Sequence, residues 1–180
     1  MTISENVRSE IAQGVATSKE GKYLTFVLGA EQYGLPVLKV KEIIGVLPFV
    51  AIPQMPDYVN GVINLRDKVI PVIDLRRKFS MQSIDYTDRT CIIVVEVDTE
   101  TRKLLMGVVV DAVADVRQVK NENIEPPPSF SGEVEAKYIL GMAKMEGKVT
   151  ILLDMDRVLR GRELIDLERG ADANLDSPAT

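Results

Sequence analysis

Few residues in this sequence could do chemistry. The chain of 180 residues contains no histidine and a single cysteine, Cys91. Without histidine there is no Ser–His or Cys–His pair and no imidazole ligand for a metal. One thiol cannot supply the several Cys or His ligands of an ordinary zinc site. We therefore predict no catalytic residue, no metal site and no cofactor.

Carboxylates that recur at fixed spacing are the remaining candidates. Asp74 and Asp154 each follow an apolar stretch, 80 residues apart. Equivalent places after two strands favour a structural role, such as capping the next turn, because catalysis would need two different carboxylates in one cleft. Asp154 and Asp156 alone make a poor metal site. Residues 141–150 are superficially like a phosphate loop, but Val149 stands where Ser or Thr is required.

Charge and hydropathy narrow the class of protein further. The 27 acidic residues outnumber the 22 basic ones, giving a net charge of -5, whereas nucleic-acid binders usually carry a basic footprint. No apolar run approaches the ~18 residues that cross a bilayer, and residues 1–10 lack the apolar segment of a secretory signal. We expect a cytoplasmic protein that binds no nucleic acid and does not insert into a membrane.

The elements that position these residues are mostly short strands. Segments rich in Val and Ile and separated by turn residues are typical of an all-β sandwich or barrel. We predict strands at 23–28, 34–40, 59–65, 68–75, 91–97, 103–110 and 148–155. Segments 47–57 and 120–137 indicate connecting loops, and 79–89 a hinge. The residues at both ends of the chain predict short helices. One is an arm at 1–20. The other runs from 154 to 168 with an interruption near Gly161, so residues 161–180 contain the end of this helix and a polar tail.

An internal repeat divides these strands into two halves. Residues 58–79 align without gaps to 138–159 at an offset of 80, and 34–46 align to 107–119 at an offset of 73. The offset grows by seven residues, and the two connecting segments differ in length by the same amount. We predict two similar five-stranded lobes at 21–80 and 81–160 that pack together, and exchange of edge strands between them stays open.

The quoted strands resemble the CheW family of chemotaxis coupling proteins. The resemblance rests on YLTFVLGAEQYGLPVLKVKEII from Tyr23, followed by GVINLR and VIPVIDLR, and it extends to about Leu159. It implies two SH3-like β-barrels and a non-catalytic scaffold. Such a scaffold joins the histidine kinase CheA, through the SH3-like regulatory domain of the kinase, to the cytoplasmic tips of methyl-accepting chemoreceptors. Asp67 is a departure, because the family usually has glycine after NLR.

The same resemblance implies two sets of contact residues. The receptor-binding groove between the lobes would be lined by Leu24, Val37, Val40, Ile43, Ile44, Val110 and Val113. A turn at the kinase or receptor interface would carry Asn64, Arg66 and Asp67. From the residues alone, core packing explains the apolar set equally well, and a solvated charged face explains the basic residues near Arg66.

Two other functions stay open at this point. One is a CheW-like adaptor of a related non-flagellar pathway, such as twitching motility, with the same fold and the same classes of partner. The other is a small ligand-binding or hydrolytic β-barrel enzyme, which would need a convergent polar pocket. The absence of histidine and of a metal-ligand set disfavours the enzyme.

Overall fold

The computed structural model describes residues 19–99, 101–127 and 136–159, and every structural statement below concerns these residues. The predicted helical arm at 1–20 and the predicted helix end and tail at 161–180 lie outside them, apart from residues 19 and 20. The strands are β1 Gly21–Leu28, β2 Glu31–Pro36, β3 Val40–Gly45, β4 Val59–Leu65, β5 Lys68–Asp74, β6 Cys91–Asp98, β7 Lys103–Val110, β8 Ala112–Val119, β9 Ile124–Glu125, β10 Ile139–Met145 and β11 Lys148–Leu153. Two one-turn helices are α1 Leu75–Lys78 and α2 Met155–Val158, and 3₁₀ turns lie at Val37–Lys39, Asn121–Asn123 and Ala136–Tyr138.

Strand pairing produces two sheets, and the predicted all-β fold is confirmed. The six-stranded sheet, here called lobe A, has the order β8-β1-β2-β11-β10-β9. The five-stranded sheet, here called lobe B, has the order β3-β6-β7-β5-β4. Neighbours are antiparallel except β2 with β11 and β5 with β7, which are parallel. The sixth strand of lobe A, β9, is two residues long.

The strand predicted at 34–40 is wrong in its second half. β2 ends at Pro36, a 3₁₀ turn occupies Val37–Lys39, and β3 starts a new strand in the other sheet. Proline has no N–H to donate to a ladder and commonly ends a strand. The strands β3, β8 and β10 were not predicted, because charged and small residues dilute their β-branched pattern. The two-residue strand β9 lies in the segment 120–137, which was predicted as a loop.

The two repeats contribute to the lobes reciprocally. The first repeat supplies β1 to β5, and the second supplies β6, β7, β8, β10 and β11. Lobe A contains β1 and β2 from the first repeat and β8, β10 and β11 from the second. Lobe B contains β3, β4 and β5 from the first repeat and β6 and β7 from the second. Each lobe therefore draws strands from both predicted ranges, 21–80 and 81–160. The chain passes between lobes at Val37–Lys39, the first crossover, and at Asp111, the second crossover.

The repeat has a clear structural counterpart. The unit β4-β5-α1 recurs as β10-β11-α2 at the offset of 80 residues. Asp74 caps α1 by accepting bonds from the N–H groups of Arg76 and Arg77, and Asp154 caps α2 by accepting from the N–H of Arg157. A side-chain carboxylate satisfies N–H groups that the first turn of a helix leaves free. These bonds match the structural role predicted for the two aspartates.

Apolar side chains form a core shared by both lobes and one smaller cluster within each. The shared cluster contains buried residues from both sheets, among them Leu24, Phe26, Leu35, Ile73, Phe79, Ile93, Val95, Val108, Val110, Leu153 and Leu159. Lobe B has its own cluster around Ile63 and Ile92, and lobe A has one around Tyr23 and Leu152. Successive residues of β6 alternate between the shared core and the lobe B cluster, so Ile92 through Val95 are all buried. The two lobes therefore cannot separate without exposing a common core.

Glycine recurs where a connecting segment crosses the hairpin of each lobe. Val50 pairs with Val62 in an isolated bridge, which brings the Val50 carbonyl against Gly61. At the equivalent Gly141, an added Cβ would lie 2.5 Å from Cγ2 of Ile124 on β9. Neither site leaves room for a side chain, which explains why glycine is identical in both repeats.

Candidate binding surface

The first crossover presents the most exposed large apolar side chain among the described residues. Leu38 is 92% exposed and sits in the middle of the 3₁₀ turn Val37–Lys39. The turn buries none of its residues and has no side-chain cap. Together with the half-buried Val37 and Val40, Leu38 contributes to an exposed apolar patch, and such patches commonly mark a binding site. Leu38 was not among the predicted contact residues, because it falls within the strand predicted at 34–40.

Five of the predicted groove residues pack in or on the shared core. Val37, Val40 and Val113 are half-buried and contact that cluster. Leu24 and Val110 are buried within it, at 4% and 1% exposure. Five of the seven predicted residues are thus brought together, but Leu24 and Val110 offer no surface to a partner in this structure.

The remaining two predicted groove residues lie on β3, at the edge of lobe B. Ile43 is 44% exposed, whereas the half-buried Ile44 packs on the lobe B cluster. The repeat-equivalent residue of Ile43 is Val116 on β8, at the edge of lobe A, and it is 53% exposed. The two end strands therefore each carry one outward-facing β-branched residue.

The predicted interface turn is the two-residue hairpin loop between β4 and β5. Asn64, Arg66 and Asp67 are all exposed, and Arg66 and Asp67 have φ angles of +50° and +66°. Positive φ at both loop residues is the geometry of a type I′ hairpin turn. The loop in lobe A has the same form, with Glu146 at φ +52° and Gly147 at φ +76°. Asp67 therefore occupies the place that Gly147 fills in the other lobe.

Ion pairs tie each hairpin tip to the end strand of its own lobe. In lobe B, the Arg66 guanidinium donates to both carboxylate oxygens of Glu42 on β3, one bond being 2.7 Å long. This bonding raises the pKa of Arg66 above its ordinary value. In lobe A, Nη2 of Arg117 on β8 donates to Glu146 over 2.8 Å. The tip residue is the cation of the pair in one lobe and the anion in the other, so the polarity of the ion pair is reversed between the lobes.

Replacing Asp67 with glycine is expected to stabilise the hairpin by about 0.5–1 kcal/mol, because a side chain in the left-handed region is strained. The matched control is Gly147→Asp, which should destabilise the protein by a similar amount. Urea unfolding of the two variants measures both changes. Shifts of the same sign would contradict the assignment of equivalent turns.

Three further ion pairs hold the crossovers, two at the first crossover and one at the second. Nζ of Lys39 lies 3.0 Å from Oδ2 of Asp98 and 2.9 Å from Oδ2 of Asp156 on α2. Burial alone would lower the pKa of Lys39, but the bonds to Asp156 and Asp98 outweigh it and raise the pKa. The same pairing lowers the pKa of Asp98. The first crossover is thus fixed to an end of β6 in lobe B and to α2, which follows a strand of lobe A.

The second crossover is held by bonds to Asp111. Asp111 accepts bonds from Nε and Nη2 of Arg76 on α1, at 2.7 Å and 2.6 Å, and from the N–H of Gly29 at 2.7 Å. Burial would raise the pKa of Asp111, but Arg76 and Gly29 hold it below its usual value. We call the Lys39–Asp156 pair the first clamp and the Arg76–Asp111 pair the second clamp.

Within the described part of the chain, no group of three His, Cys, Asp or Glu side chains is placed to hold a metal ion. No helix there is long and apolar enough to span a bilayer. The protein is thus built from two β lobes that share a core. Its exposed apolar crossover and charged hairpin tips are the surfaces expected of a binding module.

Comparison with known proteins places this module in a family. Residues 22–163 match the family model described as a CheW-like domain, so the chain belongs to the CheW-like family. It is 36% identical to the chemotaxis protein CheW of Klebsiella aerogenes, over 79% of this chain and 84% of the relative. It is 34% identical to a probable chemotaxis protein CheW of Rhizobium etli, over 78% and 88%. The crystal structure of the scaffolding protein TtCheW from Thermoanaerobacter tengcongensis matches with a TM-score of 0.71 and 32% identity, covering 80% of this chain and 95% of that one. The two lobes are therefore SH3-like, as the resemblance implied.

Proposed function

We propose that this protein is a non-catalytic scaffold that couples chemoreceptors to the histidine kinase CheA. Its family consists of adaptors of this kind. The observation that carries the proposal is the first crossover, where Leu38 is 92% exposed on a turn anchored to both lobes. An adaptor needs surfaces that remain accessible to its partners in the folded protein, and this turn is such a surface.

The receptor surface is formed by the crossover and its half-buried neighbours. Leu38 and Ile43 are exposed, whereas Val37, Val40 and Val113 are half-buried against the shared core. An amphipathic helix from the cytoplasmic tip of a receptor suits this apolar strip, because helices are commonly bound by their apolar face. Leu24 and Val110 support the strip from beneath.

The kinase surface is formed by the lobe ends, where Arg66, Asn64 and Asp67 are exposed. The SH3-like regulatory domain of CheA has the same kind of lobe. The end strands and hairpin tips of this protein can therefore pack against the equivalent strands and tips of the kinase domain. The bidentate bond to Glu42 fixes the Arg66 guanidinium, which favours a directed contact over a diffuse charge. Holding both partners at once lets modest individual affinities suffice. The protein works in the cytoplasm at membrane-associated receptor arrays.

Changing Leu38 to aspartate is expected to weaken binding of a receptor cytoplasmic fragment at least about tenfold, which corresponds to ~1.4 kcal/mol. The matched control is Val50→Asp, because Val50 is also exposed, at 60%, and lies away from the crossover in the 47–57 segment. Both variants should retain CheA binding and the wild-type melting temperature. Receptor and CheA titrations by calorimetry measure these affinities.

Two results would contradict the proposal at different levels. If the wild-type protein binds the receptor and Leu38→Asp binds it equally well, the receptor surface lies elsewhere. If the wild-type protein binds neither receptor nor CheA, the scaffold assignment itself fails.

A further inference from the structure

The lobe A cluster is smaller and more polar than the lobe B cluster. The lobe B cluster contains six buried aliphatic residues, among them Ile63 and Ile70, whereas the lobe A cluster contains four buried residues. At the repeat offset of 80, lobe A has Ala143 in place of Ile63 and Thr150 in place of Ile70. The inside of lobe A is therefore less well filled by apolar side chains.

Gln32 and Arg117 extend this difference toward the hairpin tip of lobe A. At the offset of 73, Arg117 occupies the place of Ile44, and the same offset continued back along β2 and β7 matches Gln32 with Leu105. Ile44 and Leu105 both pack on the lobe B cluster. Gln32 and Arg117 are half-buried. Lobe A thus has polar side chains where the same strands of lobe B have aliphatic ones.

Two buried hydroxyl groups lie beneath these side chains. Thr25 and Thr150 are 0% and 1% exposed. Oγ1 of Thr25 donates to Oδ1 of Asp115 over 2.7 Å, and Oγ1 of Thr150 donates to Oε1 of Gln32 over 3.2 Å. A buried hydroxyl must be hydrogen-bonded and still stabilises a core less than an aliphatic side chain does. Core positions that break the apolar pattern in this way are expected at functional sites.

Two adjoining hollows open at this end of lobe A, and we call them together the lobe A mouth. The lining of the first, which has a volume of about 220 Å³, includes Gln32, Asp115, Arg117, Glu146 and Lys148. The second has a volume of about 440 Å³, shares Gln32 and Lys148 with the first, and also contains Glu31. A water molecule takes about 30 Å³ of liquid volume, so each hollow has room for several heavy atoms. The mouths of β-barrels are common ligand sites.

Some of the charged groups of the mouth already satisfy one another. Nη2 of Arg117 donates to Glu146 over 2.8 Å, and Nη1 of Arg117 lies 3.7 Å from Oδ2 of Asp115. Among the residues that the structure describes, the groups of the mouth left without a protein partner are Nζ of Lys148, the carboxylate of Glu31 and Nε2 of Gln32. The mouth therefore offers a ligand two unmatched donors and one unmatched carboxylate.

We propose that the lobe A mouth binds a small zwitterion of the α-amino-acid type. The carboxylate of the ligand accepts from Nε2 of Gln32 and from Nζ of Lys148, and its ammonium group binds the carboxylate of Glu31. A simple anion fits less well, because the side chains that line the mouth carry three negative and two positive charges. This site goes beyond the proposed scaffold function and is separate from the first crossover.

Titration of the isotope-labelled full chain with L-alanine, followed by nuclear magnetic resonance, tests the site. The side-chain amide signals of Gln32 should shift and saturate, together with the backbone amides of residues 145–148. Sodium acetate and methylammonium chloride each carry one half of the zwitterion, so each should bind at least about tenfold more weakly than L-alanine. Sodium chloride at the same ionic strength should not reproduce the shifts.

Variants assign the contacts within the mouth. Lys148→Ala should weaken L-alanine binding at least about tenfold, whereas Lys68→Ala, the matched control at the equivalent place in lobe B, should leave it unchanged. Glu31→Gln should weaken binding of L-alanine but not of acetate. Gln32→Leu with Thr150→Val removes both partners of one hydrogen bond, so the protein should keep its urea midpoint and lose L-alanine binding.

These results together support the proposal, and several others would overturn it. They are the absence of a saturable shift with L-alanine up to about 10 mM, acetate binding as tight as L-alanine binding, and equal effects of Lys68→Ala and Lys148→Ala. Binding that persists in the double variant would place the ligand elsewhere. If L-alanine has no effect and Lys148→Ala instead loses CheA binding, the mouth is a protein contact and the proposal fails. The titration uses no partner protein, so its result is independent of whether the protein binds receptor or kinase.

Discussion

Replacing Gly61 with alanine is expected to cost the protein about 3 kcal/mol or more of unfolding free energy. A Cβ at this position would overlap the Val50 carbonyl oxygen and lie 2.8 Å from its carbonyl carbon. Gly61 also has a φ of +130°, where side chains are strained. Relief would require the Val50–Val62 bridge to open, with loss of two backbone bonds of 2.9 Å. Chemical unfolding monitored by circular dichroism gives the loss.

Gly45→Ala is the matched control for this prediction. Gly45 also lies in a strand of lobe B, but an added Cβ there meets nothing within 4 Å. We expect its stability to change by less than about 0.5 kcal/mol, as for an ordinary surface substitution. Equal effects at the two glycines would show that the crossing of the 47–57 segment does not restrict Gly61.

Removing the Phe79 ring should destabilise the protein by about 3–5 kcal/mol, the range for a buried Phe→Ala change. Phe79 is 2% exposed and belongs to the shared core. Its ring centroid lies 6.3 Å from that of Tyr33 and 6.2 Å from that of Tyr138. Phe79 follows α1 of lobe B, whereas Tyr33 lies in lobe A and Tyr138 directly precedes a strand of lobe A. The cavity would therefore open between the lobes.

Phe79→Leu separates the loss of volume from the loss of ring contacts. Leucine already occupies the equivalent position in the second repeat, Leu159, which is also buried in the shared core. We expect Phe79→Leu to cost less than half as much as Phe79→Ala. A loss of only ~1 kcal/mol in the alanine variant would mean that the site collapses and that the lobes do not depend on this ring.

Much of the fold was predictable because the signals were local. Runs such as CIIVVEV carry enough β-branched residues to indicate a strand buried on both faces, and β6 is such a strand. The offset of 80 correctly predicted that Asp74 and Asp154 hold equivalent places and cap the turns that follow. Capping depends on neighbours within three residues, so a sequence pattern can show it.

The unpredicted features depend on residues far apart in the chain. Nothing near Lys39 indicates that Asp156, 117 positions away, will bind it. The bond between Arg66 and Glu42 likewise arises from the packing of a hairpin tip against an end strand. The exchange of strands was left open because the repeat alignment fits both pairings equally well. Leu38 was missed because exposure of an apolar residue depends on where the preceding strand stops.

The reciprocal exchange has a consequence for how the protein is made. Lobe B is one continuous stretch, from β3 to β7, inserted between the two parts of lobe A. As the nascent chain leaves the ribosome, lobe B has all its strands once residue 110 has emerged, while lobe A waits for residue 153. The strands that are synthesised first, β1 and β2, are therefore expected to find their final partners last. Until then their apolar faces remain uncovered, and that interval is when the nascent protein is most exposed to aggregation and to chaperone binding.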